Sequence, residues 1–366
     1  MDRRKFIAAC GTGVTLAGLD RAAAAGPAES PPGKLKMHLG TQLGPTTPEM
    51  LDYFKRHGVE AICGWPPILP GRGYWTREDL ERTRDLCTTH GIALEMVGLP
   101  LVCSGNIDRG HDAILLADDP QRDRDLEQIQ RMIAACAQAG VPAVKYNVSL
   151  LGVLRTGTTL GRGGSRYSTW RLGDAKQEPP LTRAGRITEE LFWQRITYFL
   201  ERVIPVCNQY KIRAACHPHD PGVPPQGFRG VCCVLGTVDG LKRFVSIQES
   251  PYHGLNFCVG TVAEMLRNPG REIHEVIRYF GQRKKIFNIH FRNIRGHRDD
   301  FREVYPDEGD LDMVQVARDL QAVDYPYMVM PDHVPSHPAD PRSLQAFAYA
   351  QGYIKGVLQT LAAVPS

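Results

Sequence analysis

Apolar residues along this chain fall into two alternating patterns. Short β-rich runs at 37–43, 59–65, 92–99, 141–148, 212–216, 254–258, 286–290 and 327–331 are separated by longer segments of helical character. The clearest helix is predicted at 188–210, where Leu191, Phe192, Ile196, Phe199, Leu200, Val203 and Ile204 recur at the three-to-four-residue spacing of one helical face. Further helices are predicted at about 47–57, 76–90 and 119–139, between the later runs, and at about 340–361. Three of them end in His57-Gly58, His90-Gly91 and Ala139-Gly140, where glycine can take the left-handed conformation that closes a helix just before the next run.

Eight strands separated by helices predict parallel strands with crossover connections. Eight is the natural count for closure into a (β/α)8 TIM barrel, and 366 residues exceed the roughly 250 such a barrel takes. An open, doubly wound sheet is the alternative topology. The stretch at about 150–187 breaks the pattern: it is polar and glycine-rich around Gly161-Arg162-Gly163-Gly164-Ser165-Arg166, and is expected to be a long loop over the barrel mouth. That glycine cluster follows no strand directly and opens no helix, so it is not a phosphate loop.

The N-terminus reads differently from the rest. Arg3-Arg4-Lys5-Phe6-Ile7 precedes a moderately apolar stretch and then Ala22 to Ala25, the parts of an export signal. The arginine pair resembles the twin-arginine motif of proteins that fold before crossing a membrane. The expected organisation is a signal over 1–25, a Pro/Gly-rich linker over 26–36 and a single barrel domain over 37–366. The mature protein would then be periplasmic or secreted, with the twin-arginine export machinery as a partner and no membrane anchor. Net charge is +4, of which the first 21 residues carry +2 (four basic residues against two acidic), so the remainder is too weakly basic to form a nucleic-acid surface. Nine cysteines follow Cys10 without CxxC spacing or a small-domain disulfide framework, which marks most of them as core residues. A homo-oligomer is compatible with the sequence.

Chemistry enters at the strand ends. His217, Cys258, His290 and Asp332 stand at or just past the ends of four successive predicted strands, 41, 32 and 42 residues apart, about one strand–helix unit each. On a barrel that spacing places all four on the C-terminal rim of neighbouring strands. Imidazole, thiolate and carboxylate are all ligands of first-row divalent metals.

The segments around these residues resemble mannonate dehydratases. The resemblance rests on five ordered motifs: His217-Pro218-His219-Asp220-Pro221, Gly254 to Gly260, Ile289-His290-Phe291-Arg292-Asn293, Gly309-Asp310-Leu311-Asp312-Met313 and Pro331-Asp332-His333. It implies a (β/α)8 barrel of the xylose isomerase-like type and a divalent metal, with manganese foremost and iron, cobalt or zinc as alternatives. The implied reaction is the loss of water from D-mannonate to give 2-keto-3-deoxy-D-gluconate. Carried onto matching positions, it makes His217, Cys258, His290 and Asp332 the metal ligands and gives proton handling to Asp332 and His333. Arg292 would clamp the carboxylate of a small sugar acid through its planar fork. Tyr146 and Asn147, at the end of the fourth strand, would bond sugar hydroxyls, and Glu303 and Asp310 would support the site or cap loops. Three positions depart from the family pattern: His219 stands where the family has aspartate, 39–43 lacks its Arg-Trp strand, and Val334 replaces a glycine. A metal-dependent sugar isomerase or epimerase on a related barrel, and a non-catalytic sugar-binding barrel, are the rival expectations.

Overall fold

The computed structural model describes residues 35–363, apart from 103, 111, 177 and 224–225. The expected signal over 1–25 lies outside the described residues, as does the linker except Leu35 and Lys36. Twelve strands occur in chain order among the described residues: β1 (His38–Thr41), β2 (Ala61–Gly64), β3 (Ala93–Gly98), β4 (Ala143–Asn147), β5 (Gly157–Leu160), β6 (Arg166–Arg171), β7 (Arg213–His217), β8 (His253–Cys258), β9 (Ile286–His290), β10 (Asn293–His297), β11 (Asp300–Val304) and β12 (Met328–Met330). Eight of them close into a parallel barrel in the order β1-β12-β9-β8-β7-β4-β3-β2. All eight coincide with the apolar runs read from the sequence. The open doubly wound alternative is excluded by the β1–β12 and β1–β2 pairings that close the ring.

Helices pack around the ring because each carries one apolar face. On the helix Glu189–Tyr210 that face is Phe192, Ile196, Phe199, Leu200, Val203 and Ile204, all fully buried. Thr188 caps its first turn by accepting a hydrogen bond from the Leu191 N–H. Gly58, Gly91 and Gly140 do adopt positive φ (77°, 66° and 73°), so a left-handed residue separates each helix from the strand that follows.

Inside the ring a small cluster of Ala61, Cys63, Met96, Ala143, Ala215, Phe287, Met328 and Met330 fills the barrel, a packed core of its own. Alternate residues of a strand share a face. Ala143 and Ala215 therefore fix the inward parity of their strands, and the inward positions further along β4 and β7 are Lys145, Asn147 and His217. These are polar and mark where the core gives way to the site.

The segment at 150–187 is not simply a loop. It contributes β5 and β6, which join β10 and β11 in a four-stranded antiparallel sheet of order β10-β11-β6-β5. Neither pair has its complete partner set nearby in sequence: Asp300 and Phe301 pair with Arg171 and Trp170. Trp170 and its cross-strand partner Phe301 are buried on one face of this sheet, and Tyr167 is buried on the other. No helix among the described residues is long and apolar enough to cross a membrane.

Packing between helix and barrel is testable at Phe199, which is fully buried and lies against Tyr146 with ring centroids 5.3 Å apart. Phe199→Ala is expected to destabilise the protein by about 3–5 kcal/mol. A lower midpoint with unchanged slope in urea denaturation would show it.

Candidate metal centre and active site

Strand register sets the site. Asn147 lies beside His217, Cys258 beside His290 and His290 beside Met330, two residues before Asp332. The structure thus brings His217, Cys258, His290 and Asp332 together, with one ligand atom from each within 4.8 Å of the other three. Cys258 and His290 are almost fully buried, whereas His217 and Asp332 retain 8% exposure each. Both line a cavity of about 110 Å³, whose wall also includes Gln42, Ser104, Lys145, Asn147, Ser149 and His333.

A hydrogen bond to a backbone carbonyl selects the tautomer of His217. His217 Nδ1 lies 2.7 Å from the Pro218 carbonyl, which can only accept, so Nδ1 carries the proton and Nε2 keeps its lone pair. Gln42 lies against His290. Its Nε2 donates to Asp332 Oδ1 at 2.9 Å, and its Oε1 accepts from the Lys145 ammonium, which fixes the amide's orientation. That Oε1 also lies 3.1 Å from His290 Nε2, and the Asn256 amide nitrogen lies 3.2 Å from the same ring nitrogen, so Nε2 faces one acceptor and one donor. His290 Nδ1 is buried without a hydrogen-bond partner and stands 3.4 Å from Asp332 Oδ1. A buried ring nitrogen without a partner, next to a carboxylate and a thiol, is what a bound cation would satisfy.

Behind the ligands lies a buried layer of charge. The Arg292 side chain has no exposed surface. Its Nη2 donates to Asp220 at 2.8 Å and Thr261 at 2.6 Å and lies 3.4 Å from Cys258 Sγ; its Nη1 meets Glu303 and lies 3.1 Å from Glu264. Gly260 makes room for it, since a Cβ there would stand 2.7 Å from Arg292 Nε. Arg155, just ahead of β5, reaches Asp220 at 2.7 Å and pairs with Glu303.

These neighbours move acidities in opposite directions. Burial opposes ionisation of Cys258, but Arg292 and His290 outweigh burial and Asp332, so the thiol ionises below its ordinary range. Burial likewise opposes the Asp332 carboxylate, yet His290, His333 and Arg292 hold it well below its usual value. Asp220 is held down by Arg155 and Arg292 against the same burial penalty. Glu264 goes the other way: burial, reinforced by Asp220, raises it to about 8. Arg155 and Arg292 thus face Asp220, Glu303, Asp332 and Cys258. The donor set of two imidazoles, a thiol and a carboxylate fits a divalent metal.

Other expected site residues fall in mixed places. Asn147 lines the cavity and His333 lies at its rim, with Nδ1 2.7 Å from Glu303 Oε1. Glu303 therefore orients His333 as well as holding Arg155 and Arg292. Asp310 caps a loop, accepting from the Gly296 N–H at 2.7 Å. Tyr146 does not face the sugar: strand alternation turns it outward against Phe199, 2% exposed. Arg292 cannot serve as the substrate clamp, because its terminal nitrogens are occupied by protein groups and none of its side chain is exposed. His219 stands away from the ligands, its Nε2 donating to the Val148 carbonyl at 2.9 Å and its Nδ1 accepting from the Leu235 N–H at 3.3 Å. Burial lowers its pKa to about 4 and so keeps it neutral in that bridge.

Sequence reasoning missed Gln42, Lys145, Arg155 and Glu264. The available signal was Lys145, a lysine at an inward position of an otherwise apolar strand.

Comparison with known proteins agrees with this geometry. The model of the D-mannonate dehydratase (UxuA) family matches residues 169–365, more than half of the chain. The chain is 28% identical over 313 residues to a mannonate dehydratase of Thermotoga maritima, covering 75% of this chain and 82% of that protein. Its fold is similar to the crystal structure of mannonate dehydratase from Streptococcus suis serotype 2, with TM-score 0.75, 22% identity and coverage of 88% of this chain and 94% of that one. A D-psicose 3-epimerase from Clostridium cellulolyticum shares the barrel at TM-score 0.55 and 12% identity, covering 89% of this chain and 99% of that one. A family match that takes in all four strand-end ligands, on a closed eight-stranded barrel, leads to one assignment: the chain belongs to the D-mannonate dehydratase family.

Proposed function

We propose that this protein is a metal-dependent hydro-lyase that removes water from a sugar acid of the D-mannonate type, giving the 2-keto-3-deoxy acid. The observation that carries this reading is the convergence of His217, Cys258, His290 and Asp332 beneath a polar cavity with His333 at its rim. Family membership favours dehydration over the isomerase or epimerase chemistry of related barrels. Two imidazoles, a thiolate and a carboxylate suit first-row ions from manganese to zinc, and manganese is proposed on the family resemblance. Bound there, the metal would polarise the carboxylate and 2-hydroxyl of the sugar acid and so acidify its C2 proton.

The chain's own groups divide the remaining work. Asp332 is held ionised and both its oxygens face neighbours, so it serves as a ligand and not, as the family resemblance implied, as a proton carrier. Proton transfer falls to His333. Glu303 accepts from its Nδ1–H, which leaves Nε2 to meet substrate at the rim. In the forward reaction the Nε2 lone pair of His333 takes the C2 proton, and the resulting imidazolium gives it to the C3 hydroxyl, whose bond to carbon breaks as it departs as water and the C2–C3 double bond of the enol forms. Ser104, Asn147 and Ser149 offer hydrogen bonds to the remaining hydroxyls.

We also propose that residues 1–25 direct export by the twin-arginine route, on the Arg3-Arg4 pair and the alanine run that follows the apolar stretch. Replacing Arg3 and Arg4 with lysine is expected to retain the protein in the cytoplasm, as cell fractionation would reveal; equal export of both forms would refute it.

His333→Gln is expected to lower kcat for formation of the 2-keto-3-deoxy product by about 10²–10⁴-fold while metal binding persists. Full activity in that variant, or a ketose or epimer in place of the keto-deoxy acid, would overturn the assignment. Cys258→Ser is expected to weaken divalent-metal binding by at least about tenfold, since even losses of outer-sphere partners cost that much. Because the thiolate is the ligand, affinity in the wild type should rise with pH and level off once Cys258 has ionised, below the ordinary thiol range. Calorimetric titration of metal across that range measures both effects.

A further inference from the structure

Lys145 stands apart from the other cations of the site. Its side chain enters the barrel from the inward face of β4, and the residue is only 9% exposed. A buried ammonium normally has a carboxylate beside it, because an unpaired buried charge is costly. Arg155 and Arg292 obey that rule several times over. Among the described residues no carboxylate lies within 4 Å of Lys145; its partner is the neutral Gln42 Oε1, with the Trp65 ring centroid 5.4 Å from its Nζ. It is also the one lysine or arginine among the described residues lining the cavity. The protein thus presents a single uncommitted positive charge to whatever occupies the space next to His217 and Asp332.

We propose that Lys145 anchors the carboxylate of the substrate, the role the sequence had assigned to Arg292. This rests on the sugar-acid reading above and sharpens it. The ammonium stands on the same inward ring as the metal ligands, linked to Asp332 through one amide: Lys145 to Gln42 Oε1, and Gln42 Nε2 to Asp332 Oδ1. A carboxylate captured there is drawn to the metal side of the cavity. Ser104, Asn147 and Ser149 then receive the polyol chain. The sugar is held in one direction, and a neutral ketose or alditol lacks the group that completes the lysine's charge pairing.

The test compares Lys145→Met with the wild type, both loaded with manganese. KM for D-mannonate is expected to rise about ten- to a hundredfold, the loss of one charge-assisted hydrogen bond. Inhibition by neutral D-mannitol and the affinity for manganese itself are expected to stay close to wild type. If the methionine variant fails to fold, Lys145→Gln, which keeps a polar head for Gln42, carries the same expectation. An unchanged KM for D-mannonate would overturn the proposal. So would a loss confined to metal affinity, because Lys145 would then act only by orienting Gln42 and, through it, His290. Wild-type turnover separates the two layers: an enzyme that dehydrates D-mannonate equally well with and without Lys145 refutes the anchor alone, whereas one that neither binds nor dehydrates any aldonate refutes the sugar-acid reading and the anchor with it.

Discussion

A guanidinium with no exposed surface holds this site together. Arg292 brings a permanent positive charge into the rim of the barrel, and such a charge is tolerable only when its surroundings are anionic and its donors are used. Asp220 and Thr261 take Nη2, Glu303 and Glu264 take Nη1, and the Cys258 sulfur lies against the same fork. The effect runs in both directions. The carboxylates stabilise Arg292, and Arg292 lets Cys258 ionise in a place where burial alone would keep it a thiol. Removing the guanidinium would leave several anions facing one another in a low-dielectric pocket, so the candidate metal ligands depend on a residue outside their own set.

How much of this was legible in the sequence follows from how local each signal is. The barrel was legible because strand, helix and terminating glycine are all written within about ten to twenty consecutive residues. The convergence of His217, Cys258, His290 and Asp332 was legible because barrel symmetry turns a spacing of one strand–helix unit into adjacency on the rim. Arg292 was noticed but misassigned. Its position two residues past a ligand is local information, whereas the carboxylates that claim it come from separate segments at Asp220, Glu264 and Glu303. Tyr146 was misplaced by a single step of parity. In a strand buried on both sides the apolar pattern does not say which face is inward, and here the neighbour Lys145 holds the inward place.

Gln42 shows a different kind of illegibility. The strand around it lacks the family's Arg-Trp pair, and nothing about a glutamine in an apolar run announces a role. Its function exists only in three dimensions, where an amide with one donor face and one acceptor face meets an ammonium, a carboxylate and an imidazole at once. That meeting ties the Lys145 ammonium, the Asp332 carboxylate and the His290 ring into one network. Departures from a family pattern therefore do not map simply onto lost function. His219, where the family has aspartate, became a neutral strut between two backbone groups, while Gln42 became part of the site's wiring.

The four-stranded sheet over the barrel mouth connects these observations. The barrel alone supplies the ligands and Arg292, but Arg155 enters from the segment just before β5, and Glu303 sits on β11. Asp220 depends on Arg155 for one of its oxygens, and His333 depends on Glu303 for its orientation. Pairing of β6 with β11 brings the Arg155 segment and the Glu303 strand into one sheet, so the charge layer behind the metal ligands is complete only when that sheet is formed. A barrel rim can converge four ligands by symmetry. Giving them charged surroundings takes Arg155 from the polar, glycine-rich insertion that the sequence presents as a mere loop, and giving a neighbouring imidazole a fixed tautomer takes Glu303 from the strand that pairs with it.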